Sequence, residues 1–341
     1  MSEERADAAA EPELRQRRAR RRRYLLLGQS CLSIGLLAYL LSKVDIAEAS
    51  ASALNADPAL LALATVQLSL QFFLAAMRWD LLVSGMGGSL PFASALRFVW
   101  IGTFFSQVLP ASVGGDIVRM WLFWRRTGSR RLAIHSVALE RMVMVMVLLL
   151  LVLAVQPGLA ARGVPLAIVV SAVVVLTAMI AVLSVLLLSR RLLAAHDRSR
   201  LLRALSNVAQ DVRSVFASAP RAVALCGLSL AAYLNIAIAA WLIARALGLQ
   251  ISVVDSIVLA PVVVLAATLP ISVGGWGVRE SAAISLFGLV GVSGHDALAL
   301  SVLLGLASIA ISIPGALLWL PRDRLPESDF ESALDERADR A

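Results

Sequence analysis

The chain is poor in the residues that most often carry chemistry. Its two cysteines, Cys31 and Cys226, both lie inside apolar runs, where a thiol reads as a packing residue rather than half of a disulfide or a metal pair. Its three histidines, His135, His196 and His295, have no ligand spacing. That excludes the zinc, haem and iron–sulfur signatures, and no metal or other cofactor is expected. Charged residues are 16% of the chain against 59% hydrophobic, a balance foreign to ordinary soluble domains.

What the chain has in quantity is uninterrupted apolar sequence. Several runs exceed the roughly 18 residues needed for a membrane-spanning helix, so the expected class is an all-α polytopic membrane protein. The net charge of +8 does not point to nucleic acid, because of where the arginines lie. They cluster at 15–23, at 125–131 and between Arg190 and Arg221, each cluster beside an apolar run. That is the placement the positive-inside rule gives to cytoplasmic segments, with attraction to anionic lipid as its by-product. The partners expected are membrane lipids and not nucleic acid.

Residues 1–23 lack apolar periodicity and read as a disordered basic cytoplasmic tail. A first span over 24–42 has no small-residue cleavage site before Lys43, so it is expected to be retained. The loop after it is acidic, which suits the outside. A second span, 58–77, returns to Arg78 on the inside. Further spans are expected over 132–155, 164–188, 221–246 and 296–320, with a short external turn at 156–165. A helix over about 198–217 carries Leu201, Leu205, Val208, Val212 and Val215 on one face, and either lies on the cytoplasmic interface or packs against the bundle. Residues 321–341 form a cytoplasmic C-terminal tail. The count is about six full spans in the plasma membrane, both termini cytoplasmic.

Two segments remain, and they share a motif. "LPASVGGDIVR" begins at Leu109 and "LPISVGGWGVR" begins at Leu269, identical at eight of eleven positions. In each, Pro and Gly-Gly break an apolar helix. The piece after the first break, 113–124, reaches only about 18 Å, too short for a hydrocarbon core of about 30 Å. It ends at Arg125-Arg126, so the segment 92–124 is expected to enter from the cytoplasm and return to it as a re-entrant hairpin. The second copy, about 252–290, is expected to enter from outside and return there. Together they form an inverted repeat.

Irregular backbone at membrane depth is tolerated where it is buried in protein or lines a polar cavity. Opposed broken helices are how many transporters build a midplane site. Backbone amides at Gly114-Gly115 and Gly274-Gly275 suit an anion at a helix start. Ser112 and Ser272 add hydroxyls, and Arg119 and Arg279 add charge, so the two copies are expected to serve one lipid phosphate. The competing reading is that the glycines permit close packing and the arginines snorkel. Glu140 and Arg141 also fall within apolar sequence, but as neighbours about 100° apart on a helix they cannot satisfy each other. Each needs a partner from the hairpins, which also carry Arg97, Asp116 and Glu280.

The pattern "LPASVGGDIVR…SVALERMV" followed by "LPISVGGWGVRES" resembles the transmembrane domain of the lysylphosphatidylglycerol synthase family, flippase-like proteins that include the membrane half of multiple-peptide-resistance synthase/flippases. The resemblance spans about residues 24–320. It implies movement of a phospholipid or related amphiphile between leaflets. The hairpin and intramembrane-charge reading makes Ser112, Gly114, Gly115, Arg119, Glu140, Arg141, Ser272, Gly274, Gly275, Arg279 and Glu280 the expected substrate-binding set for an anionic headgroup, with no catalytic residue. The bifunctional members carry a large cytoplasmic acyltransferase-like domain. Only 20 residues follow Pro321 here, so aminoacyl-lipid synthesis by this chain is not expected. Two other roles stay open: a non-catalytic membrane partner of a separate glycosyltransferase or synthase, and an intramembrane lipid-modifying enzyme using Glu140.

The topology is checked by single-cysteine labelling in a background without Cys31 and Cys226. Positions beside Arg125 and Arg190 should label from the cytoplasm, and positions beside Lys43 and Asp296 from outside. Cytoplasmic labelling beside Asp296 would remove the inverted repeat.

Overall fold

A computed structural model describes residues 46–108, 114–188, 200–268 and 276–319. The expected first span over 24–42, both tails, and the motif residues Ser112, Ser272, Gly274 and Gly275 lie outside the described residues. All elements among the described residues are α-helices. They are α1 (Ile46–Leu54), α2 (Pro58–Leu68), α3 (Leu70–Gly85), α4 (Phe92–Val108), α5 (Gly114–Thr127), α6 (Arg130–Ala154), α7 (Gln156–Ala161) and α8 (Leu166–Leu188). After them come α9 (Arg200–Phe216), α10 (Ala219–Ala246), α11 (Val253–Thr268), α12 (Val278–Gly288), α13 (Gly294–Ser312) and α14 (Pro314–Trp319).

Four continuous stretches are long and apolar enough to cross a membrane: Pro58–Gly85, Arg130–Ala154, Ala219–Ala246 and Gly294–Trp319. Shorter apolar stretches lie at Leu166–Ala181 and Val253–Thr268. The protein is therefore an integral membrane protein with a helical bundle. Local chemistry sets many of the helix starts. Asp57 caps α2 through the amides of Ala59 and Leu60, ahead of Pro58. Ser129 caps α6 and Ser293 caps α13 through their hydroxyls, each satisfying an amide that the helix leaves open.

The two motif segments fold as helical pairs: α4 packs against α5, and α11 against α12. The first pair is close enough for backbones to touch. A Cβ on Gly115 would overlap the carbonyl oxygen of Gly102 and the hydroxyl of Ser106. Close packing is thus one real job of this glycine. Aromatic side chains then fill the space around the pair. Trp79 and Phe123 lie edge to face at 5.3 Å and Phe72 stacks on Trp100 at 4.7 Å, and Trp79 and Phe123 are wholly buried.

Segments assigned to the outside by sequence meet one another at one end of the bundle. Ser52 donates to Asp296 at 3.0 Å, Asp57 N–H donates to the Ala246 carbonyl, and Arg162 donates to Asp255 at 2.9 Å from Nε. Segments assigned to the inside meet elsewhere: Arg221 lies against Gly85, and Arg131 and His135 hold Asp211. The paired helix α11–α12 starts beside Arg162, whereas α4 starts near α14, where Arg97 donates to the Leu318 carbonyl.

Three expectations need correction, and one open alternative, that for the helix over 198–217, is decided toward packing. The second span does not end at Arg78. The helix continues to Gly85, and Arg78 is 4% exposed, because a buried carboxylate on α6 claims it. The helix over 198–217 packs on the bundle through Val212 and Val215, both fully buried, and through the Asp211 ion pair with Arg131 at 2.6 Å. The acidic loop after residue 43 contains α1, and the turn at 156–165 contains α7.

Adding a methyl at Gly115 forces the α4 backbone away, so Gly115→Ala should cost about 1–3 kcal/mol or more. Gly227, inside α10, has open space at its Cβ, and Gly227→Ala should be neutral or stabilising by up to about 1 kcal/mol. Thermal unfolding in detergent compares the two. Equal midpoints would mean that the α4–α5 contact is not tight.

Candidate functional site

Glu140 sits in the middle of α6 at 4% exposure, where an unpaired carboxylate is very costly. Two helices answer it. Arg78 on α3 donates Nη2 to Glu140 Oε1 at 3.1 Å. Arg119 on α5 brings Nη1 to 2.7 Å from Oε2, an ion pair whose angle lies outside hydrogen-bond geometry, since Oε2 accepts no hydrogen bond. Arg119 also donates Nη2 to Asp116 at 3.1 Å, one turn back on α5. Asp116 in turn accepts from Arg141 Nε at 2.7 Å. The neighbours Glu140 and Arg141 do point apart, as helix geometry requires. Each finds its partner on the first motif helix.

The guanidinium of Arg119 lies 4.7 Å from the centre of the Trp79 ring, a stacking that favours a partly dehydrated cation. Arg78, Arg119, Asp116, Glu140 and Arg141 together line a cavity of about 150 Å³, closed on its other sides by Gly102, Ser106 and Gly115. Arg141 is the exposed member, its side chain 59% accessible. The group holds three arginines and two carboxylates. Arg78 Nε and Nη1 and Arg119 Nε are buried donors with no partner. The lining has net charge +1, and these spare N–H donors lie buried beside the cavity, so an anion there would reach them once the guanidinium groups turn.

The second motif is wired differently. Arg279 donates to its own neighbour Glu280 from Nε at 3.0 Å and Nη2 at 2.6 Å, and to Ser301 on α13 at 3.1 Å. Glu280 is wholly buried; it also accepts from Ser301 and from the Gly277 amide at 2.6 Å. Gly277 has φ 85°, a conformation suited to glycine, and it starts α12. The amide at the start of this helix is therefore occupied by a carboxylate rather than free for an anion. Arg279 again lies over an indole, that of Trp276, at 4.6 Å, and a Cβ on Gly305 would overlap it.

Arg279 and Ser301 border a second cavity, of about 220 Å³, with walls mainly of Val263, Val264, Leu300, Leu304 and Ile236. It shares no lining residue with the first. The structure thus brings Gly115, Arg119, Glu140 and Arg141 together, places Gly114 buried at the start of α5, and sets Arg279 apart at another cavity with Glu280 buried behind it. Arg97 lines neither. Sequence reasoning missed Arg78 as a site residue, since an arginine ending an apolar run reads as a topology marker. It also missed the two tryptophans under the arginines.

No curated protein and no solved structure matches this chain. The sequence profile of the lysylphosphatidylglycerol synthase TM region matches residues 26–315, which takes in every helix of the bundle that borders the two cavities. The resemblance first carried by the paired Gly-Gly motifs thus extends over most of the sequence, and the chain belongs to the lysylphosphatidylglycerol synthase TM region family.

Proposed function

We propose that this protein is a lipid flippase that moves an anionic phospholipid or related amphiphile between membrane leaflets. The observation that carries the reading is the Arg78–Arg119–Arg141 cavity, with net charge +1 and three unpartnered buried donors inside an apolar bundle. A lipid phosphate crossing hydrocarbon must exchange its water for fixed donors, and this cavity supplies them. In this reading α4–α5 and α11–α12 are re-entrant hairpins from opposite faces, supported by their starting at opposite ends of the bundle. Six spans with cytoplasmic termini in the plasma membrane complete the arrangement. Rocking of one repeat against the other gives each leaflet access in turn.

The test is exchange of a fluorescent-tailed phosphatidylglycerol in proteoliposomes containing the purified protein, read by loss of protection from an external quencher. Arg119→Lys and Arg279→Lys keep charge but lose the planar fork that suits phosphate. Each should slow exchange by about tenfold, one missing polar contact at the barrier. Arg119→Ala should also destabilise, by about 3–5 kcal/mol, because it leaves buried carboxylate uncompensated. Wild-type exchange in both Lys variants at equal incorporation would return the arginines to a structural role. No exchange by the wild-type protein would remove the flippase reading.

A further inference from the structure

The two arginine cavities are separate, yet a lipid headgroup served by both must pass between them. The helices that border both show what lies on the way. Leu68, on α2, lines the Arg279 cavity, whereas Ala75 and Arg78, on α3, line the Arg119 cavity. Positions 68, 71, 75 and 78 recur at helical spacing and share one face. Gln71 is the residue on that face between the cavities. From Leu68 to Ala75 the step is about 10 Å along the axis.

The facing helix α10 is organised in the same way. Ile236 and Ala240 line the Arg279 cavity. Tyr233 donates its hydroxyl to the Met144 carbonyl at 2.9 Å, and Met144 lines the Arg119 cavity. Asn235 lies between them and is 5% exposed. It accepts from Gln67 Nε2 at 2.6 Å and donates to Gln71 Oε1 at 3.2 Å. Gln67 Oε1 is buried with no partner.

The helix is distorted at the same level without being broken. Ser69 keeps helical dihedrals and bonds its amide to the Thr65 carbonyl, while the Phe72 amide bonds back to the Ser69 carbonyl at 3.1 Å. Asn235 Nδ2 reaches the Leu68 carbonyl at 3.5 Å. α2 packs against α13, and α3 packs against α4 and α6. α10 packs against both α2 and α3 and carries Asn235 at their junction, so any shift between α2 and α3 would act on these amide bonds.

We propose that Gln67, Gln71 and Asn235 form the crossing point over which a phosphate-bearing lipid headgroup passes between the Arg279 and Arg119 cavities. This rests on the flippase reading and names residues that reading does not require. Amide N–H groups bond the phosphate oxygens, and amide oxygens bond headgroup hydroxyls. Neither adds a charge that would hold the headgroup there.

The test compares the full-length wild-type protein with Gln67→Leu/Gln71→Leu/Asn235→Leu, in which all three amides become apolar together, so that no side-chain amide is orphaned and only the Leu68 and Asn235 carbonyls lose a side-chain donor. Thermal unfolding in detergent and phosphatidylglycerol exchange in proteoliposomes are measured on both. The expected result is an unfolding midpoint at or above that of wild type, with exchange slowed by at least about tenfold. Gln71→Asn, which keeps an amide, should retain more exchange than Gln71→Leu. Wild-type exchange in the triple variant would overturn the proposal while leaving the flippase reading standing. A lowered midpoint together with equal exchange in Gln71→Asn and Gln71→Leu would also overturn it, as the mark of a structural clamp. No exchange by wild type would remove both.

Discussion

A carboxylate placed at the centre of an apolar helix dictates how the first half of this protein is assembled. Glu140 cannot stay ionised in such surroundings without cations, and α6 supplies none that can reach it. Arg141 points elsewhere. The cations come instead from α3 and α5, as Arg78 at 3.1 Å and Arg119 at 2.7 Å. Holding Arg119 fixes the first hairpin helix against α6, and the Asp116–Arg141 pair, 2.7 Å long, repeats the tie one turn away. A single apolar contact would allow these helices to slide. A buried charge pair and a second, half-exposed one of opposite sense favour one register, since a slip would leave the buried Glu140 bare.

The same arrangement carries surplus positive charge. Glu140 engages two arginines with one oxygen each, so neither guanidinium is fully used, and three of their N–H donors remain unbonded. The duplicated motif shows what full use looks like. Where the first copy has Met120 after its arginine, the second has Glu280. Glu280 closes Arg279 on its own helix, with Ser301 and the Gly277 amide completing the carboxylate, and the second copy also carries Trp276 and Gly277 where the first has Asp116 and Ile117. Both arginines lie over an indole, Trp79 from α3 and Trp276 from the motif itself; Arg119 is held across helices as well as by Asp116, and Arg279 by its neighbour. An anion would find the stronger field at the first.

The all-helical membrane class was readable from the sequence. Proline and paired glycine inside apolar runs marked two places where helices end, and the short segments after them appear as α5 and α12. The hundred-degree angle between Glu140 and Arg141 required outside partners, and the hairpin supplied them. The failures have a common cause. Arg78, Asp211, Gln71 and Asn235 are defined by what they face in three dimensions, and each looks ordinary in its own stretch of chain. Arg78 resembled a charge at a membrane boundary because apolar sequence stops there. Asn235 bonds a side chain 168 positions away, a distance no local pattern records. Gly115 has a second reason to be glycine beside the anion-binding role expected of it, since the backbone contact with Gly102 already requires it.

Transport sets opposing demands on such a site, and the two kinds of polar group divide them. Binding must be favourable enough for a headgroup to leave water, yet weak enough at each station for it to move on, the same compromise that governs conduction through channels. A continuous row of guanidinium groups between the cavities would fail the second demand, because a phosphate in low dielectric would be trapped by each in turn. A continuous apolar wall would fail the first. Neutral amides offer hydrogen bonds without net charge, so their attraction falls off faster with distance than that of an arginine. In the proposed reading, three neutral amides beside the junction of α2 and α3 would lower the barrier between two charged stations without creating a third. They bond one another at 2.6 Å and 3.2 Å, so in that reading the halves must move before these groups can serve a headgroup.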